Sequence, residues 1–149
     1  MKYSTFGAMI AVSTVVMFGL MYLNTDSLDH VFFSQTRMWM AIVMGATMAV
    51  IMLAFMLGMY RNRRANIAIF AASAIAFAGA LYLVRSQDTV ADVAWMKAMI
   101  PHHSIAILTS ERANISDSRV RRLADEIIEA QRREIGEMES LIADLEAGD

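Results

Sequence analysis

Cysteine is absent from the chain and proline occurs once, at Pro101. The first absence excludes disulfides and thiolate metal sites, so any soft-metal chemistry must rest on methionine and histidine. It is also compatible with an oxidising compartment. No glycine-rich phosphate loop, no Ser-His-Asp set and no thiol nucleophile is present, and nothing in the sequence argues for catalysis. Charge is missing unevenly: no Asp, Glu, Lys or Arg occurs in Tyr3–Thr25, Met38–Tyr60 or Ala65–Val84. Each run reaches or exceeds the ~20 residues that a helix needs to cross a bilayer.

What is present is 57% hydrophobic residue content with 14 methionines in 149 residues. The chain reads as all-α: a multi-pass transmembrane region over 1–85, with helices at about 3–23, 38–60 and 65–84, then a soluble helical segment over 86–149. The first run follows Met1-Lys2 but is longer than a signal-peptide core, and Gly19 to Asp26 offers no small-x-small cleavage site, so it is read as a retained helix. Tyr22, Trp39 and Tyr60 stand at run boundaries, where interfacial aromatics belong. The link Asn24–Arg37 carries Asp26, Asp29, His30 and an interfacial Val31-Phe-Phe33. Placing Lys2 and Arg61-Asn-Arg-Arg64 in the cytoplasm leaves only Arg37 and Arg85 flanking the membrane outside, which satisfies the positive-inside rule. The expectation is a bacterial inner (plasma) membrane protein with its N-terminus cytoplasmic and its C-terminal segment periplasmic.

After Arg85, glycine is absent until Gly136 and no strand-like alternation occurs, so helices are expected. The first should run from Asp88 or Thr89 to about Asn114, with a kink at Pro101 or a break into two helices at Ile100. Asn114–Ser118 is the turn, with Ser116 or Ser118 as N-cap, and the second helix spans about Arg119–Leu145. Arg85–Asp88 contains no Gly or Pro, so a rigid extension of the third membrane helix into this segment is plausible. In the second helix Val120, Ala124, Ile127, Gln131, Glu134, Met138, Leu141 and Leu145 make a heptad seam. Met96, Met99, His103, Ala106, Ser110 and Ala113 make the matching one. An antiparallel hairpin then sets His103 near Gln131 and brings Met99 and Met96 near Glu134 and Met138. Two such helices expose Leu123, Ile128, Ile135 and Ile142, so self-association into a four-helix bundle is expected.

The candidate site lies in Trp95-Met-Lys-Ala-Met-Ile-Pro-His-His-Ser-Ile-Ala106. Met96, Met99 and His103 share one helical stripe, with His102 beside it. Thioether with imidazole favours Cu(I), because thioether is a soft ligand. The plainer alternative is that these are packing or surface residues. Gln131 and Glu134 are either partners orienting an imidazole N–H or residues fixing hairpin register. A di-iron site lacks its paired Glu-x-x-His elements.

Met96-x-x-Met99-Ile-Pro-His102-His103-x-x-Ala106-Ile107, followed by Leu123-Ala124-x-x-Ile127-x-x-x-Gln131-x-x-Glu134-Ile135-x-x-Met138, resembles the domain of unknown function 305 (DUF305) family over roughly Asp88–Leu145. The resemblance implies a ferritin-like helical domain, commonly exported, in a family linked to copper binding and copper resistance. Its implied ligands are Met96, Met99, His102, His103 and Met138. The chain departs from the family pattern at Leu108-Thr109, where many members place a methionine, and at Leu141, where many place a tryptophan. It holds a single unit where some relatives hold two.

Met40, Met44, Met48, Met52 and Met56 recur every four residues along the second membrane run, a stripe that wraps the helix. Adaptable packing explains it; the sharper reading is a membrane path for Cu(I), joined from Met17, Met21 and His30. Ala68, Ala72, Ala76 and Ala80 repeat at the same spacing in the third run, a face suited to close helix packing. Residues 86–149 hold thirteen acids and seven bases, so nucleic acid is a poor partner. The leading expectation is a membrane-anchored protein outside the cytoplasm that buffers or delivers Cu(I). A methionine-lined copper transport component and a structural subunit of a larger membrane complex are the alternatives. Expected partners are the metal ion, the bilayer, a second copy of the chain, and a copper donor or acceptor protein.

Overall fold

The computed structural model describes residues 2–148. These form five α-helices and one 3-10 turn: α1 (Tyr3–Leu20), the turn Leu28–His30, α2 (Gln35–Phe55), α3 (Arg63–Ser86), α4 (Asp92–Arg112) and α5 (Ser118–Ala147). The fold is all-α, and α1, α2 and α3 are long and apolar enough to cross a membrane. The chain divides into two compact units, one of residues 2–21 and 36–89, the other of residues 22–35 and 90–148. The link after α1 folds with the C-terminal helices.

In the first unit, Phe6, Ala49, Leu53 and Tyr60 form the core, with Met52 and Met56 packed against it. Tyr60 stacks between Tyr3 and Phe6, at ring distances of 4.9 and 5.5 Å. The buried face of α2 is Ala41, Gly45, Ala46, Ala49 and Leu53, and the first four are small residues that allow close helix approach. Gly45 is the closest point: a Cβ there would lie 2.3 Å from Thr14 Oγ1.

The buried positions of α3 are Asn66, Ser73 and Ala80; of the expected alanine face, Ala68, Ala72 and Ala76 are exposed and only Ala80 is buried. The polar groups decide this. Asn66 Oδ1 accepts from the Tyr3 hydroxyl at 2.8 Å and its Nδ2 donates to the Tyr60 carbonyl at 2.7 Å. In an apolar surrounding such groups must turn inward to find partners.

The helix α3 stops at Gln87, which adopts the left-handed conformation (φ 57°) and donates its N–H to the Leu83 carbonyl. The side-chain amide of Gln87 donates to the Val84 carbonyl at 2.7 Å and accepts from the Thr36 hydroxyl at 3.3 Å. A left-handed residue ends a helix by this closure, so of the two arrangements the sequence left open, the rigid continuation of α3 does not occur. The side chain does here what a Gly or Pro signal usually announces.

The second unit is the α4–α5 hairpin with residues 22–35. Its core is Met96, Ile100, Ile107, Ile135, Met138 and Ile142, with Phe32, Val93, Met99 and Ile128 packed around it. The seams differ from those expected: Ile135 and Ile142 are buried, while Val120, Leu141 and Leu145 are 50, 45 and 46% exposed. Isoleucines seven residues apart (Ile128, Ile135, Ile142) outcompete a stripe interrupted by Glu134, because burying an unpaired carboxylate costs more than exposing a leucine gains. On α4 the same shift buries Ile100, Ser104 and Ile107 with Met96. The helix runs unbroken through the buried Pro101, so the division at Ile100 is not adopted. Asp117, rather than Ser116 or Ser118, caps α5, accepting from the N–H groups of Arg119 and Val120.

Candidate metal centre

Helix α4 carries the sequence motif on two faces. Met96 (5% exposed) and Met138 (7%) from α5 sit inside one apolar cluster, and Met99 packs against its edge. The structure thus brings together the three methionines that the sequence singled out, two by burial and one at the rim. His103 lies one helical turn after Met99 and contacts its carbonyl, with its side chain 13% exposed. His102 is exposed, with its ring centre 6.2 Å from that of His103.

Both ring nitrogens of His103 are engaged. Nδ1 lies 3.0 Å from the Met99 carbonyl oxygen, and Nε2 lies 2.8 Å from Glu134 Oε2. A carbonyl and a carboxylate only accept, so both contacts are satisfied together when the ring carries two protons. Glu134 itself is 44% exposed, so the pair stays open to solvent on one side. Its partner is Glu134 rather than the expected neighbour Gln131, which is half-buried on α5. Ion pairs Lys97–Glu146 and Arg132–Glu111 tie the same two helices. Being exposed, they contribute little stability individually and mainly select the register.

The donor set suits a soft ion. Among the described residues no group of three or more His, Asp or Glu side chains could hold a metal. Thioether is a soft donor and imidazole a borderline one, a pairing that a soft ion prefers. An Nδ1–H held on a backbone carbonyl is the arrangement that leaves Nε2 as the coordinating atom of a metal-binding histidine. Here Glu134 Oε2 lies against that nitrogen.

Sequence reasoning missed a second polar element on α4. Ser104 is fully buried, its hydroxyl accepts from the Asp26 N–H at 2.7 Å, and His30 Nδ1 lies 2.9 Å from the same oxygen. Residues 22–35 are thereby fastened to the helix that carries His103, and Phe32 adds an apolar contact to the core. The signal was available: Met96, Ile100, Ser104 and Ile107 lie 4, 4 and 3 apart, and a serine on an apolar stripe needs a partner. His30 is occupied in this fastening.

Along the methionine stripe of α2, Met44, Met48, Met52 and Met56 are half-buried and Met40 is 43% exposed; Met44, Met48 and Met52 line one cavity, and Met52 and Met56 also pack on the first unit's core.

Residues 80–147 match the family described as "Domain of unknown function (DUF305)". The match begins inside α3, upstream of the Asp88 boundary that the motif residues suggest. An uncharacterized protein of Acanthamoeba polyphaga mimivirus is 39% identical over 64 residues, which is 42% of this chain and 42% of that protein. The chain therefore spans less than half the length of this curated relative. No solved structure matches it. The end of α3 and the α4–α5 hairpin, residues 80–147, are the part of the chain that is similar to the DUF305 family.

Proposed function

We propose that this protein is a membrane-anchored, non-catalytic copper-binding protein that buffers or delivers Cu(I) outside the cytoplasm. Met96, Met99, Met138 and His103 would hold the ion, His102 would serve as an added ligand from the exposed side, and Glu134 would give up its contact with His103 Nε2 to the metal. The observation that carries this reading is the convergence of three methionines from two helices beside a histidine whose Nδ1 is fixed on the Met99 carbonyl. The positive-inside distribution of Lys2, Arg61, Arg63 and Arg64 supports a cytoplasmic N-terminus and a periplasmic hairpin in a bacterial inner membrane. The exposed Val120, Leu123, Leu141 and Leu145 of α5 support closure of the bundle by a second copy.

Anaerobic Cu(I) titration of the full chain in detergent tests the reading. Met→Leu changes at Met96, Met99 and Met138 conserve volume and cost under ~1.5 kcal/mol each, so they remove sulfur without removing the core. The expected result is a loss of affinity larger than the 10–100-fold typical of losing a metal ligand's supporting partner, with helicity retained. Affinity should also fall with decreasing pH, because metal and protons compete for the imidazole while thioethers do not titrate. Unchanged affinity in the leucine variant overturns the assignment.

A structural subunit is the second reading, favoured by the burial of Met96 and Met138 among isoleucines, where they also serve as core. It requires that the chain retain no copper and co-purify with one defined membrane partner. Transport along α2, where Met44, Met48 and Met52 line one cavity, is the third.

A further inference from the structure

The first unit contains an open apolar groove of about 570 Å³ that no side chain of the described residues fills. Its walls are Tyr3, Phe6, Gly7 and Ala11 of α1 and Ala65 and Ala68 of α3, with Ala49 of α2 beneath. Small residues on the three helices leave this space between the larger Tyr3, Phe6, Ile10 and Ile69. It runs along the first turns of α1 and α3, so one end opens where those helices begin.

That end carries positive charge alone. Lys2 precedes the groove residue Tyr3, and Arg64 precedes the groove residue Ala65. Arg61 and Arg63 flank Asn62, whose N–H donates to the Tyr3 hydroxyl at 3.2 Å. All four basic residues are exposed, and no Asp or Glu occurs between Asp29 and Asp88 or before Asp26. A stack of apolar walls topped by unopposed cations has the form of an amphiphile with an anionic head. Water would be a poor occupant, since the Asn62–Tyr3–Asn66 hydrogen bonds already satisfy the polar groups at that end and the walls offer none.

We propose that this groove binds one acyl chain of an anionic phospholipid, with its phosphate held by Arg61, Arg64 and Lys2. Basic pockets between membrane helices recognise anionic headgroups in this way, and each added base near the surface strengthens attraction roughly fivefold. The proposal is independent of the copper reading, since it involves no residue of the α4–α5 hairpin.

Native mass spectrometry of the full chain, released from detergent after equilibration with phosphatidylglycerol or with phosphatidylcholine of the same acyl chains, tests it. The expected result is retention of one phosphatidylglycerol and at least about tenfold lower occupancy by phosphatidylcholine. Arg61→Gln with Arg64→Gln should remove that preference. Gly7→Leu should remove the bound lipid itself, because a Cβ at Gly7 meets no atom within 4 Å, so the side chain enters the groove without disturbing the helices. Circular dichroism of each variant confirms that it is folded. Equal retention of both lipids by the unaltered chain, or retention undiminished in Gly7→Leu, overturns the proposal, as does a lipid-free dimer that forms in place of the lipid complex.

Discussion

Replacing Ser104 by alanine isolates the fastening of residues 22–35 to α4. The change deletes one oxygen from a fully buried position and leaves no sizeable void, so the cost is polar. Two contacts disappear, from the Asp26 N–H and to His30 Nδ1, each worth about 1 kcal/mol net. Asp26 is exposed and His30 half-buried, so water rescues part of the loss and the larger penalty for an unsatisfied buried group does not apply in full. Alanine also favours the helix over serine by ~0.5 kcal/mol. The balance is a destabilisation of about 1 kcal/mol, or a fall of about 4–8 °C in Tm for a unit of 60–100 residues. Thermal melts of the full chain in detergent measure the total, and amide hydrogen exchange locates it. Protection should drop at Asp26 and through residues 28–32 while the centre of α5 stays protected. An unchanged Tm with unchanged exchange at Asp26 would refute the fastening, and uniform loss across α5 would show that Ser104 supports the hairpin core instead.

Three further outcomes are expected. Arg119, through its side chain and then its backbone N–H, pulls the Asp117 carboxyl from the usual range down to about 2. A depressed folded value means that its contribution is complete above pH ~4 and is lost as pH falls through about 2; the acid-induced loss of helicity in α5 should shrink in Asp117→Asn and be followed by circular dichroism. Gly45→Ala should destabilise the first unit by about 1–3 kcal/mol through overpacking against Thr14, and Thr14→Ala added to it should restore most of that; additive losses in the double variant would contradict the contact. Tyr60 is 1% exposed with a hydroxyl lacking a partner among the described residues, so Tyr60→Phe should leave the unfolding midpoint unchanged or raise it by about 1 kcal/mol equivalent, whereas a clear loss would reveal a hidden bond.

The sequence by itself determined that the chain is helical throughout and that three of its helices match a bilayer in length and apolarity. Charge-free runs of twenty residues can satisfy their backbone in lipid only as helices, which makes that conclusion independent of packing. The methionine and histidine motif was legible for a similar reason: spacings of 3 and 4 fix a shared helical face before any neighbour is known. Element ends were less legible where side chains stood in for the usual signals, as at Gln87 and Asp117.

Only the tertiary structure decided which face of each helix turns inward. Heptad arithmetic allows two adjacent phases on α5, and they differ by whether Glu134 or the isoleucines are buried. The energetic choice depends on what α4 presents, namely Ile100, Ile107 and a His103 able to meet Glu134 at the edge. In α3 the hydrogen bonds of Asn66 with Tyr3 and Tyr60, residues about sixty positions and six positions away, turned the alanine face outward. The partnership of Ser104 with Asp26 and His30 joins positions more than seventy residues apart. A linear pattern can mark each of these polar groups as needing a partner, but the partner is chosen by the chain's path through space.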